Sequence, residues 1–225
     1  MGIEAMIFDL DGTLILLPID WGKVMEKVRS IAGADVKTFL GFVARYHGTE
    51  QFWVVHKFLE NVELEAVNRA IILDNADKVL QDLCNDIALG FVTMQSRAAA
   101  EKIVEMLGIG NCRNNLGVLS AREDSATRVA QLTKAVKDLD TDPNKVLFIG
   151  DKVLDAIAAF VNKVKAVIIL RNPVSLKISA TDYLDEDLEV LDIHIAFSLA
   201  EAIEIAKNVY GLAPRHEVAG GGLWS

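Results

Sequence analysis

The 225-residue sequence has little cysteine and no long hydrophobic run. Its two cysteines, Cys84 and Cys112, lack CxxC spacing, which argues against a zinc ribbon and a disulfide framework, so we expect two reduced structural thiols. The longest apolar runs fall far short of the roughly 20 residues that a membrane-spanning helix needs. No basic leader precedes the first apolar residues, so nothing resembles a signal peptide. These absences predict a cytoplasmic protein with no membrane partner.

The chain also has fewer basic than acidic residues. It contains 23 Lys and Arg and 32 Asp and Glu, which gives a formal charge of −9. A broad nucleic-acid or anionic-membrane surface needs a basic footprint, so this balance argues against both. A single phosphate pocket with one or two local cations remains compatible with it. Apolar residues make up 52% of the chain, enough for a sizeable core.

The apolar segments alternate between strand-like and helix-like patterns. Continuous apolar runs predict strands covered on both faces, at Ala5–Leu10, Ile87–Thr93, Leu116–Ser120, Lys145–Gly150, Ala166–Leu170 and, more weakly, Ile193–Phe197. Helical periodicity occupies the segments between them, at Ser96–Leu107, Asp124–Leu139, Val153–Val161 and Leu199–Val209. Ser96 is the expected cap of the first of these helices, and Asp124 or Ser125 of the second. This alternation predicts an α/β fold with a doubly wound, Rossmann-like parallel sheet.

A helical insert interrupts this alternation after the first strand. Residues 17–83 contain successive helical stripes and no good strand, so we expect a small helical unit there. The predicted organisation is a core formed by residues 1–16 and 84–215, the insert, and a flexible C-terminal tail at 216–225. Arg45, His47, His56 and Lys57 are polar candidates in the insert, and each is expected on a solvated helix face.

Polar residues gather at the predicted carboxyl ends of the strands, where ligands bind in α/β sheets. They are Asp9, Asp11, Gly12 and Thr13 after the first strand, Thr93 after the second, Arg122 and Arg128 after the third, and Asp151 and Asp155 after the fourth. Carboxylates packed together repel, which a hard cation such as Mg²⁺ relieves through oxygen coordination. Arg128 falls in the first turn of a predicted helix, where the helix dipole disfavours a cation. It therefore points either at a bound anion or at Asp124.

These motifs resemble those of the haloacid dehalogenase-like hydrolase superfamily. Asp9-Leu10-Asp11-Gly12-Thr13-Leu14 matches its first motif, Thr93 its second, and Gly150-Asp151-Lys152-Val153-Leu154-Asp155 its fourth. The insert directly after the first motif is similar to the helical cap of the phosphoglycolate-phosphatase and β-phosphoglucomutase branch. The resemblance covers about residues 4–175.

The resemblance implies a role for each motif residue. Asp9 would be the nucleophile that forms an aspartyl-phosphate, and Asp11 the general acid and base. Gly12, Thr13, Thr93 and Arg128 would contact the phosphoryl group. Asp9, the backbone carbonyl of Asp11 and Asp151 would bind Mg²⁺, with Asp155 in support. Superfamily members that displace halide from carbon lack the second Asp, so its presence favours phosphoryl transfer.

The third motif departs from the family pattern, which has a Lys followed by prolines. Arg128 lies nearest to the expected position, and Arg122 is the alternative. Two further departures are Met94 and Gln95 after Thr93, where an Asn often follows, and the apolar start of the insert. These differences bear on substrate identity more than on reaction type.

The sequence therefore predicts a Mg²⁺-dependent phosphatase that acts on a small phosphorylated metabolite through an aspartyl-phosphate. Its partners would be that metabolite and no nucleic acid, and the chain would be a monomer or a homodimer. Two alternatives stay open, a phosphomutase of the β-phosphoglucomutase type and a catalytically silent phosphometabolite-binding protein.

Overall fold

The fold is built around a six-stranded parallel sheet. A computed structural model describes residues 2–33, 36–112, 116–171 and 193–213. The sheet strands are β1 (Ala5–Phe8), β4 (Ala88–Val92), β5 (Leu116–Ser120), β6 (Val146–Gly150), β7 (Lys165–Ile169) and β8 (Ile193–Ala196). They lie in the order β5-β4-β1-β6-β7-β8 and every neighbouring pair is parallel. The predicted doubly wound α/β fold is thus confirmed, as are the six predicted strands to within one or two residues.

Helices cover both faces of this sheet. The helices are α1 (Trp21–Ala32), α2 (Phe39–Tyr46), α3 (Glu50–Val67), α4 (Ala76–Leu83), α5 (Arg97–Met106), α6 (Arg128–Asp138), α7 (Val153–Asn162) and α8 (Leu199–Ile205). α4, α5 and α8 share one hydrophobic cluster with the sheet, and α6 and α7 share the other. β1 lies at the centre and is fully buried along its length. The structure therefore explains the continuous apolar runs, because both faces of each central strand are covered.

Helix starts follow local capping chemistry. In α5 the Ser96 hydroxyl accepts the Ala99 amide, as the sequence predicts. The predicted start of α6 at Asp124 or Ser125 is wrong, because Thr127 is the N-cap and the helix begins at Arg128. Asp124 instead accepts the Ala121 amide at 2.7 Å, which closes the loop before the helix. This shift places Arg128 in the first position of α6.

The insert forms a hydrophobic cluster in which α1, α2 and α3 pack together with Met94 from the loop after β4. Two short antiparallel strands connect it to the sheet, β2 (Ile15–Leu16) on the way out and β3 (Ile71–Ile72) on the return. The sequence did not predict them, since a two-residue strand carries no periodicity. α4 was expected inside the insert, whereas its Leu80 and Leu83 lie in the cluster of the sheet. The predicted tail at 216–225 lies outside the described residues.

The two cysteines form a disulfide, so the prediction of two reduced thiols is wrong. Cys84 is the C-cap of α4 and Cys112 ends a short 3-10 turn before β5, with Cα atoms 5.6 Å apart. Both segments precede neighbouring strands, β4 and β5, and so return to the same amino edge of the sheet. Sequence spacing could not reveal this pairing, because the cysteines are 28 residues apart and meet only through the sheet order. Within the described residues, no helix has the length and apolar character needed to cross a membrane.

Candidate active site

The loop after β1 carries the first two aspartates at the carboxyl edge of the sheet. Asp9 is buried, and its amide donates to the Ile149 carbonyl of β6 at 2.9 Å. Asp11 is partly exposed, and its carboxylate accepts the Leu17 amide at 2.8 Å. Gly12 has φ +94°, and a Cβ at this position would overlap the Asp151 carboxylate. Glycine is therefore required here both by backbone conformation and by the close approach of β1 and β6 loops.

Three carboxylates meet behind this loop. Oxygen atoms of Asp9, Asp151 and Asp155 all lie within 4.8 Å of one another. Asp155 is fully buried, and its Oδ2 accepts the amides of Asp151 and Lys152 at 3.1 and 3.0 Å. Asp155 thus holds the start of the loop that carries Asp151.

Arg128 neutralises part of this carboxylate cluster. Its Nη2 lies 2.9 Å from Asp9 Oδ1 and its Nε 3.0 Å from Asp155 Oδ1. Its Nη1 donates to the Val92 carbonyl at the end of β4, at 2.7 Å. Arg128 thus contacts two carboxylates and the end of β4, and of the two arginines that the sequence left open it is the one that lies beside the carboxylate cluster.

Arg122 lies elsewhere and is fully buried. Its Nη1 and Nη2 contact the Glu63 carboxylate on α3 at 2.6 and 3.0 Å, and its Nη1 also donates to the Met94 carbonyl at 2.9 Å. Glu63 also accepts the Ser96 amide at 2.9 Å. Arg122 therefore fastens the last helix of the insert to the sheet and has no described contact with the carboxylate cluster.

Thr93 is fully buried directly after β4, and a network of amides surrounds it. Its hydroxyl is hydrogen-bonded to the Gln95 side chain and accepts the Gln95 amide at 3.3 Å. Gln131 of α6 donates from Nε2 to the carbonyls of Thr93 and Ala121, at 2.7 and 2.9 Å. Gln131 was not predicted from the sequence, although its position one turn after Arg128 on the same helix is a signal that could have identified it.

Burial dominates the electrostatics of the aspartates. It raises the pKa of Asp9 to about 8, with the charges of Asp155 and Asp151 adding to the rise and Arg128 opposing it. Burial likewise raises the pKa of Asp11 and of Asp151, and Lys152 opposes the rise at Asp151. Burial and the neighbouring carboxylates therefore both favour the neutral form of Asp9, and Arg128 opposes them.

The cluster fits a hard divalent cation. Among the residues that the structure describes, the buried Asp151 Oδ1 has no hydrogen-bond partner, and buried carboxylate oxygens are normally satisfied. Carboxylate oxygens are also the ligands that Mg²⁺ prefers. The Asp11 side chain is outside the three-carboxylate group, and the resemblance assigns only its backbone carbonyl to the metal. The donor set present in the chain thus matches the predicted cofactor in chemistry.

A second titratable group lies between the insert and the sheet. His56 is buried, which corrects the expectation of a solvated helix face, whereas Arg45 and Lys57 are exposed as expected. His56 Nε2 lies 3.6 and 3.5 Å from carboxylate oxygens of Glu60 and Glu123. Its Nδ1 is 3.3 Å from Arg122 Nε, a donor, so the neutral ring carries its proton on Nε2. The protonated Nε2 therefore faces the carboxylates of Glu60 and Glu123, and a nitrogen that carries a proton cannot bind a metal.

His47, the fourth polar candidate of the insert, also contacts the loop after β5. Its Nε2 lies 3.1 Å from the Glu123 carbonyl. His47, His56 and Glu63 thus all reach from the insert to the loops after β4 and β5. These side chains were predictable as helix residues, but their partners were not.

The chain is thus a doubly wound, Rossmann-like α/β protein with an acidic cluster at the carboxyl edge of its sheet. The family model described as haloacid dehalogenase-like hydrolase matches residues 3–160. The chain therefore belongs to the haloacid dehalogenase-like hydrolase family, as its motifs predicted.

Solved structures share the fold at low sequence identity. CbbY from Rhodobacter sphaeroides, solved in complex with phosphate, superimposes with a TM-score of 0.62 at 14% identity, covering 89% of this chain and 99% of that one. A haloacid dehalogenase phosphatase from Thermococcus onnurineus gives 0.57 at 15% identity, covering 95% and 100%. A haloacid dehalogenase-like hydrolase from Streptococcus pneumoniae gives 0.57 at 16%, covering 90% and 97%. No curated protein matches the sequence.

Proposed function

We propose that the chain is a Mg²⁺-dependent phosphatase that hydrolyses a small phosphorylated metabolite. The observation that supports this most is the contact of Arg128 with both Asp9 and Asp155 beside Asp151. This contact supports the proposal because a carboxylate that could act as the nucleophile, a cation and carboxylates suited to a hard metal lie together at one edge of the sheet. Phosphoryl transfer depends on this combination of positioning and charge neutralisation.

The proposed reaction proceeds in two steps. In the first, Asp9 attacks phosphorus, a bond forms between its carboxylate oxygen and phosphorus, and the ester oxygen leaves with a proton from Asp11. In the second, Asp11 takes a proton from water, which attacks phosphorus and releases Asp9 and inorganic phosphate. The pKa of Asp11, raised by burial, suits a group that must be protonated at the start.

Arg128 and the metal would together offset the negative charge of Asp9 and of the phosphoryl group. Arg128 holds Asp9 Oδ1 in place and neutralises part of the phosphoryl charge. Asp9, Asp151 and the Asp11 carbonyl would bind Mg²⁺, with Asp155 in support. The ion would supply the positive charge that keeps Asp9 ionised and offsets the phosphate dianion. Thr93 and Gly12 would contact the phosphoryl oxygens.

The insert would act as the cap of this site. Its helix α3 already reaches the loops after β4 and β5 through Glu63 and His56. A cap in this position would exclude water from the aspartyl-phosphate until the substrate alcohol has left.

The test is release of inorganic phosphate from a panel of small phosphate esters, with Mg²⁺ or with excess chelator. Asp9→Asn keeps the shape of the nucleophile and removes its charge, and Asp138→Asn on the exposed end of α6 is the matched control. We expect Mg²⁺-dependent turnover that Asp9→Asn abolishes and Asp138→Asn retains. Sugar phosphate isomerisation without stoichiometric phosphate release would instead identify the phosphomutase, and saturable binding without turnover the silent binding protein.

A further inference from the structure

Arg171 contacts the loop that carries the proposed catalytic aspartates, although no motif includes it. It lies two residues after β7, at the carboxyl edge of the sheet. Its Nε donates to the Gly12 carbonyl at 3.2 Å and its Nη2 to the Thr13 carbonyl at 2.8 Å. These are the carbonyl groups of the two residues that directly follow Asp11. Arg171 therefore fixes the orientation of the backbone immediately after the proposed general acid.

The same guanidinium binds the chain segment that returns from the insert. Its Nη1 pairs with Asp74 Oδ2, two residues after β3. The Leu199 amide at the start of α8 donates to the same oxygen at 2.7 Å. The two connecting segments are also joined directly, because the Leu73 amide donates to the Leu14 carbonyl at 2.9 Å. Arg171 and Asp74 thus fasten both connections of the insert at one point of the sheet.

The geometry suits arginine in particular. A guanidinium presents several donors in one plane, so a single side chain can bind two successive carbonyls and a carboxylate together. The side chains of Arg171 and Asp74 are only 24% and 28% exposed, so solvent screens this pair incompletely. Lysine carries its three donors on a single nitrogen, whereas the three contacts of Arg171 leave from three different nitrogens, so lysine does not reproduce their spacing.

We propose that Arg171 is a positioning residue for phosphoryl transfer, which sets the Asp11–Thr13 backbone and couples it through Asp74 to the insert. The proposal rests on the proposed function, because it assigns the loop a catalytic geometry. A shift of about 1 Å in a catalytic group costs on the order of 100-fold in rate. Loss of the Arg171 contacts would therefore lower kcat more than it raises KM.

The experiment compares Arg171→Met, Arg171→Lys and Asp74→Asn with the wild type, at a temperature where circular dichroism shows each variant folded. The matched control is Lys145→Met, which removes a partly buried cation paired with Glu4 at the opposite edge of the sheet. kcat and KM are measured at saturating Mg²⁺ with the best ester of the panel. Hydrogen exchange of the peptide spanning residues 10–17 is measured in the same proteins and requires no turnover.

We expect Arg171→Met to lower kcat by about 10- to 100-fold with a smaller change in KM, and to speed exchange in residues 10–17. Arg171→Lys should recover part of kcat, Asp74→Asn should cause a smaller loss, and Lys145→Met should match the wild type in both readouts. A folded Arg171→Met with wild-type kcat and wild-type exchange overturns the proposal, and if it does not fold, wild-type values in Asp74→Asn do so. An inactive wild type contradicts the proposed function instead, and the exchange data then decide the role of Arg171 alone.

Discussion

The ion pair between Glu63 and Arg122 should dominate the attachment of the insert to the sheet. Both side chains are almost completely buried, at 1% and 0% exposed, and they make two contacts of 2.6 and 3.0 Å. Glu63→Gln preserves the shape and leaves the Arg122 charge buried without its counter-ion. Breaking one partner of a buried pair costs about 3–5 kcal/mol, so we expect this loss in the free energy of unfolding.

The assay is urea denaturation followed by circular dichroism, with a control on the same helix. Glu65→Gln makes the same chemical change at an exposed residue whose Arg69 contact is 4.0 Å, so it should cost less than about 1 kcal/mol. The double variant Glu63→Leu with Arg122→Met removes both charges and should recover most of the loss, since buried pairs are often replaceable by apolar residues. A Glu63→Gln variant as stable as Glu65→Gln would refute the buried attachment.

Three further predictions concern the carboxylates, the cation and the disulfide. In excess chelator, Asp9→Asn should match the wild type in unfolding free energy at pH 4 and exceed it at pH 8. Burial raises the Asp9 pKa from 3.8 to about 8, so the folded state retains a proton that the unfolded state releases, and stability falls as pH rises across this range. Arg128→Met should lower kcat by about 10²–10³-fold, and Arg128→Lys by less, because lysine keeps the charge. Reduction of Cys84–Cys112 should lower the unfolding free energy by about 3–4 kcal/mol, as expected for a loop of this length, while kcat of the folded protein is unchanged.

Each of these predictions has an outcome that contradicts it. Equal stability of the wild type and Asp9→Asn at pH 8 would show that the Asp9 carboxylate is not buried in a negative cluster. Wild-type kcat in Arg128→Met would remove Arg128 from the site, and Arg122→Met would then be the next variant to measure. A loss of kcat on reduction would contradict the position of the disulfide at the amino edge of the sheet, away from the carboxylates.

The motif residues could be assigned to one site from the sequence because each of them follows the carboxyl end of a predicted strand. Parallel strands place their carboxyl ends at one edge, so Asp9 after β1 and Asp151 after β6 had to meet there. The continuous apolar runs predicted the strands, and the polar residues directly after them predicted the loops. Order along the chain and fold class were sufficient for this part of the site.

The choice between the two arginines needed the tertiary structure. Arg122 and Arg128 lie in one loop–helix segment, and spacing alone could not tell which one faces the carboxylates. Because Thr127 caps α6, the helix begins at Arg128, whose side chain contacts Asp9. Arg122 instead forms an ion pair with Glu63, which lies 59 residues earlier in the chain. Contacts of this kind depend on which helix packs over which loop.

The sequence by itself determined the parallel sheet, the position of the insert and the acidic edge, because periodicity and strand-end residues are local properties. Only the tertiary structure decided the Cys84–Cys112 disulfide, the burial of His56 and the reach of Arg171 to Gly12. Each of these joins segments that are distant in sequence, and their proximity follows from strand order and helix packing. Such pairings leave no periodic signal in the chain, since either partner alone has the pattern of an ordinary helix or loop residue.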